Sequence, residues 1–160
     1  MFFWFFEARH DPANAPISLW LNGGPGSDSL IGLFQELGPC NVTEDLKTQL
    51  NPYAWNEYSN MLFLSQPIGV GFSYQSEVNG VVSNETGYPV NSSTPDGRYS
   101  YVDEFRFDTT DLSAIGTWEI LQGFLANLPQ LDPEIKSRTF NLWTESYGGL
   151  YFLLSSVAWP

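Results

Sequence analysis

The sequence predicts an α/β fold: a mostly parallel central sheet with helices on both of its faces. Three observations carry the prediction. Apolar runs of strand length, rich in aromatic or branched side chains, lie at residues 2–7, 17–21, 61–64 and 139–143. Stretches of helical length lie at about 28–37, 103–128 and from Ser146 onward, so strands and helices alternate, which suits a sheet covered on both sides. The last strand stops abruptly on Ser146, just before the pair Gly148-Gly149.

Taken in order, Phe2-Phe-Trp-Phe-Phe-Glu7 is the first strand. The chain starts inside it with no turn ahead, which reads as a product truncated at its N-terminus. The run is too short, and too poor in flanking lysines, for a signal peptide. The second strand runs through Ile17-Ser-Leu-Trp-Leu21 into Asn22-Gly-Gly-Pro-Gly-Ser27 and then a helix. A glycine-rich loop of this kind exposes backbone N–H groups, as for an oxyanion or a phosphate. A phosphate loop calls for Gly-Lys-Ser/Thr, and no lysine occurs before Lys47.

Cys40 is the single cysteine, either a small buried hydrophobe or half of a bridge whose partner lies outside this chain. The sequons at Asn41, Asn84 and Asn91 suit passage through a secretory pathway. Two of them fall in residues 75–100, a polar stretch that reads as a surface excursion. In the long helix Leu112, Ile115, Trp118, Leu121, Leu125 and Leu128 recur at threes and fours, predicting one core-facing stripe that ends before Pro129.

Thr139 to Tyr151 then reads strand, turn, helix, with Ser146 on the turn and glycines letting strand and helix approach closely. That is the layout of a nucleophile elbow. The usual pattern is Gly-x-Ser-x-Gly, and Thr144 stands at the first glycine. A serine in an ordinary turn is the competing reading. The earlier glycine loop weighs against it, because acyl transfer needs N–H donors aimed at the developing oxyanion. α/β-Hydrolases take them from a loop after an earlier strand and from the residue after the nucleophile. The elbow therefore narrows the fold to the α/β-hydrolase class, with residues 1–160 as the N-terminal part of one such domain.

Five segments now resemble, in order, those of the serine carboxypeptidase family. They are Trp20-Leu-Asn-Gly-Gly-Pro-Gly-Ser27, Glu36-Leu-Gly-Pro39, Asn51-Pro-Tyr-Ala-Trp-Asn56, Gln66-Pro-Ile-Gly-Val-Gly-Phe-Ser-Tyr74 and Glu145-Ser-Tyr-Gly-Gly149. The resemblance covers about Phe2 to Tyr151. It implies that Ser146 is the nucleophile and that the N–H groups of Gly24 and Tyr147 form the oxyanion hole. It further implies that Asn22, Gly23 and Glu145 bind the terminal carboxylate of a peptide, with Glu36 hydrogen-bonded to Glu145. Two close carboxylates cannot both ionise cheaply, so one keeps a proton and donates it to the substrate, which favours work in acid.

Some positions depart from the family pattern. Asp28 stands where serine is common, Ser65 where an aspartate usually begins its segment, and residues 152–160 do not resemble the family at all. The family places the acid and histidine of its triad far beyond the serine. The only histidine here, His10, sits beside Asp11 and Pro12 and reads as an exposed turn residue. Both triad partners are therefore expected to be missing, leaving the chain alone inactive.

Six basic residues against 18 acidic ones, a net charge of −12, argue against nucleic acid or an anionic membrane as partner. No apolar run approaches 18 residues, so no transmembrane span is expected. A hydrophobic content of 42% argues for a packed core. The expectation is a secreted or vacuolar serine carboxypeptidase acting on peptide or protein C-termini, with no cofactor or metal. Two rivals stand beside it, a carboxypeptidase-like acyltransferase and a non-catalytic fragment. Both Glu36 and Glu145 are present, which favours the peptidase over the acyltransferase.

Overall fold

The computed structural model describes residues 1–151, apart from the side chain of Glu104. In chain order the elements are β1 (Phe3–Phe6), β2 (Ile17–Leu21), α1 (Leu30–Gln35), β3 (Cys40–Val42), β4 (Thr48–Leu50), β5 (Asn60–Leu64), β6 (Ser76–Val82), β7 (Pro89–Asn91), β8 (Gly97–Tyr101), α2 (Thr110–Leu131) and β9 (Phe140–Thr144). The central sheet has the order β1-β5-β2-β9. Strands β5, β2 and β9 run parallel, and β1 lies antiparallel on the outside of β5.

Every residue of β2 and of β5 is buried. Alternate side chains go to opposite faces, and each face has its own core. Ile17, Leu19, Leu21, Leu62 and Leu64 pack with Leu121, Phe124 and Leu128 of α2. Trp20, Met61 and Phe63 pack with Leu30, Leu33 and Leu37 in and beyond α1. Helices thus cover both faces, as the apolar strands predict. Each buried Leu or Phe here contributes about 1.5–3 kcal/mol relative to exposure.

The long helix differs from its prediction at both ends and on its face. Residues 103–109 stay out of it, since Thr109 takes an extended conformation and its hydroxyl caps the helix by accepting the Leu112 N–H at 3.3 Å. At the other end Pro129 lies inside the last turns, where it costs one N–H while the Asp132 N–H still reaches the Leu128 carbonyl at 2.7 Å. The predicted stripe splits. Leu121 and Leu128 are buried, whereas Leu112, Ile115 and Leu125 are 40%, 48% and 38% exposed. Each step of three residues falls about 60° short of a full turn, so three such steps put Leu112 opposite Leu121. The buried face is completed instead by Ser113, Ala114, Thr117 and Phe124.

Residues 75–100 contain strands that polarity hid. β6 pairs antiparallel with both β7 and β8 in a separate sheet, and most of its side chains are exposed. The short antiparallel pair β3–β4 was likewise not expected. No helix among the described residues is long and apolar enough to cross a membrane.

Candidate active site

β2 and β9 lie side by side with Leu21 opposite Thr144, so the loop after one and the turn after the other leave the sheet at the same edge. They meet at Gly23. A Cβ there would fall 2.7 Å from the Tyr147 nitrogen and 2.8 Å from the Ser146 Cβ, so only glycine fits without movement. Ser146 is exposed and takes φ 51°, in the left-handed region that non-glycine residues rarely occupy. The turn is held by the Glu145 N–H on the Leu21 carbonyl (3.3 Å) and the Gly148 N–H on the Glu145 carbonyl (2.8 Å). Residues 148–151 are helical, and the rest of the helix expected after Ser146 lies outside the described residues. Among the described residues neither the Gly24 nor the Tyr147 N–H donates a hydrogen bond.

Asn22 is 2% exposed, and one hydrogen of its Nδ2 is left over from the contacts that hold it. Its Oδ1 accepts from Trp20 Nε1 (2.9 Å) and the Gly32 N–H (3.2 Å), which turns its Nδ2 towards Glu145 Oε1 at 2.6 Å. Ser29 Oγ accepts the Asn22 N–H at 3.2 Å. Glu36, just past α1, has its backbone carbonyl pinned by Asn51 Nδ2 at 3.1 Å. Burial, and then the charge of Glu145, raise the Glu36 carboxyl above its ordinary value. Among the described residues no hydrogen bond joins the two carboxyl groups, so they interact here through charge alone. On the other side of Ser146, the Tyr147 hydroxyl lies 3.0 Å from Thr110 Oγ1, and the Tyr151 hydroxyl accepts the Gly26 N–H at 3.3 Å.

A family model described as serine carboxypeptidase matches residues 1–153. The chain belongs to the serine carboxypeptidase family. It is 45% identical over 152 residues to carboxypeptidase S1 of Penicillium janthinellum, covering 94% of this chain and 28% of that protein. It is also 45% identical to carboxypeptidase S1 homolog A of Trichophyton rubrum, covering 94% and 25%. The crystal structure of Kex1(delta)p, a prohormone-processing carboxypeptidase from Saccharomyces cerevisiae, matches with a TM-score of 0.61 and 29% identity over 98% of this chain and 28% of that one. The chain thus spans about a quarter of the length of the relatives it matches.

The fold of this family member keeps His10 away from the elbow. Because β1 is antiparallel, Phe3 sits level with Leu64 and Phe6 with Met61, so the chain after β1 leaves from the edge opposite Ser146. There His10 stacks on Tyr58 and lies 3.3 Å from Glu57 Oε2. The departures at Asp28 and Ser65 touch each other: Ser65 Oγ donates to Asp28 Oδ1 at 2.8 Å, so carboxylate and hydroxyl have changed places across one contact. Asn84 and Asn91 are exposed, while Asn41 has a buried Oδ1 without a partner. Among the described residues no His, Cys, Asp or Glu cluster is placed to hold a metal. Sequence reasoning missed Trp20, Ser29, Thr110 and Tyr151 as supports of the site. Trp20 was within reach, since positions 20 and 22 share one face of a strand.

Proposed function

We propose that this chain is the nucleophile-bearing part of a serine-type carboxypeptidase on an α/β-hydrolase scaffold, releasing C-terminal residues from peptides or proteins. The observation that carries the reading is the 2.6 Å bond between Asn22 and Glu145 beside a left-handed Ser146. An ester hydrolase has no need of an amide and a carboxyl group held next to its nucleophile. A substrate that ends in a free carboxylate does.

In this reading the substrate carboxylate accepts hydrogen bonds from Asn22, the Gly23 N–H and a protonated Glu145, with Glu36 helping to keep the proton on the pair. Ser146 Oγ attacks the scissile carbonyl, and the oxyanion is received by the Gly24 and Tyr147 N–H groups. The C–N bond breaks, the amine leaves with a proton, and water then hydrolyses the ester on Ser146. The base that takes the serine proton comes from outside these residues, so the chain alone is inactive. Exposed Asn84 and Asn91 carry glycans in this reading, consistent with a secreted or vacuolar location.

The position of His10 favours a second reading, a non-catalytic module that binds peptide C-termini. Affinities of a blocked dipeptide and of its C-terminal amide, measured in mild acid, test the shared recognition step. Tighter binding of the free acid by tenfold or more is expected, and equal affinities would remove both readings. Hydrolysis no faster than that of Ser146→Ala is expected of the chain by itself.

A further inference from the structure

Two cavities line up beyond Tyr147. The smaller, about 190 Å³, is walled by Pro25 and Gly26 of the glycine loop and by Thr110, Tyr147 and Tyr151. The larger, about 600 Å³, opens between the segment after β5 and the β6–β8 sheet, with Tyr88, Val90, Tyr101 and Phe105 on its walls. Phe107 and Asp108 line both, so the two spaces adjoin at these residues.

The direction of this channel follows from the two sides of Ser146. Asn22 and Glu145 are tied to Trp20, whose side chain packs on the α1 face of the sheet. Tyr147 is tied to Thr110 at the start of α2, which packs on the other face. A peptide with its carboxylate at Asn22 and Glu145 and its scissile carbonyl at Ser146 therefore sends its upstream residues past Tyr147, towards Phe107 and the larger space. The walls there are apolar and open, with Tyr88 62%, Val90 43% and Phe105 90% exposed. The carboxylates of Asp103 and Asp108 at its margin oppose acidic side chains.

We propose that this channel is the acyl-side peptide groove, and that the cleft against the β6–β8 sheet takes bulky apolar side chains two or more residues upstream of the scissile bond. The proposal rests on the carboxypeptidase reading. It makes the 75–100 segment a specificity element of the enzyme.

The test uses acetyl-Phe-Phe-Ala-Leu and acetyl-Gly-Gly-Ala-Leu, each as free acid and as C-terminal amide, titrated into the protein. The Phe-Phe acid should bind at least tenfold more tightly than the Gly-Gly acid. Val90→Glu and Tyr88→Ala, both on the exposed sheet, should bring that ratio to within twofold and leave the preference for acid over amide unchanged. A preference for acid with no Phe over Gly discrimination would overturn the groove and spare the carboxypeptidase reading. Discrimination without a preference for acid would do the reverse. No binding of any of the four peptides would overturn both.

Discussion

Asn22 and Glu145 stand 123 positions apart in the chain and are joined by a 2.6 Å hydrogen bond at the elbow. In the proposed role Glu145 needs a proton to donate to the substrate, which a glutamine supplies at any pH. Glu145→Gln should preserve the affinity for free-acid peptides in acid and flatten its loss towards neutral pH. Glu145→Ala should weaken it at every pH by roughly 1.5–3 kcal/mol, the range for a hydrogen bond to a charged group. The readout is the dissociation constant of a blocked dipeptide against pH. Unchanged profiles in both variants would make Glu145 a bystander.

The raised Glu36 carboxyl predicts a pH dependence of stability. Burial, then the charge of Glu145, lift it above the ordinary value of 4.5, so the folded chain binds this proton more tightly than the unfolded chain does. The contribution of this group to stability is then greatest in acid, where both states are protonated, and is lost as pH rises through 4.5 and the folded value above it. Glu36→Gln should stabilise the protein at neutral pH and have little effect well below the ordinary carboxylate range. Because the side chain is largely exposed, the gain should stay under about 1 kcal/mol. Urea midpoints at the two pH values check it.

Gly23→Ala should disrupt the meeting of the two loops. The added methyl meets the backbone nitrogen of Tyr147 and the Ser146 Cβ, neither of which can rotate away. A cost of about 1–3 kcal/mol in urea unfolding is expected, as for other overpacked sites. Gly149→Ala is the control, since a Cβ there meets nothing within 4 Å.

Ser146 pays for its position in backbone strain. Left-handed φ costs a non-glycine residue about 1–2 kcal/mol, so Ser146→Gly should unfold at higher urea than Ser146→Ala although both lack the hydroxyl. Equal midpoints would mean that the turn is relaxed.

The corrected face of α2 separates two positions that the predicted stripe treats alike. Leu121, 4% exposed, packs in the core against β2 and β5, and Leu121→Ala should cost about 2–5 kcal/mol. Ile115, in the predicted stripe but 48% exposed, should tolerate Ala within about 0.5 kcal/mol.

What was legible in the sequence is what burial on both sides makes unmistakable. β2 and β5, buried throughout, appear as apolar runs; β9 is only partly buried and is marked instead by its aromatic and β-branched residues, and the ends of β2 and β9 carry the glycines that the tight turns at Gly23 and Gly148 require. The tight turn at Ser146 was legible from the glycines beside it. Strands β6–β8 were not, because exposed strands have no apolar side to alternate. The predicted stripe on α2 splits because each three-residue step drifts by about 60° round the helix, and small residues such as Ala114 and Ser113 face the core more fully than Ile115. The Tyr147–Thr110 contact lies beyond any local pattern, since it joins α2 to the elbow only in three dimensions.

The parallel pairing of β2 with β9 also sets when the site can exist. Residues 17–21 find their partners at 140–144, whereas β1, β2, α1 and β5 are all contained in the first 64 residues and can associate locally. Closing so long a loop is entropically slow compared with those nearby contacts. The elbow and the glycine loop should therefore meet late in refolding, after the α1 face has packed. During synthesis, a nascent chain would carry the glycine loop after β2 without the Ser146 turn until β9 had emerged, so the two could meet only once most of the described chain was made.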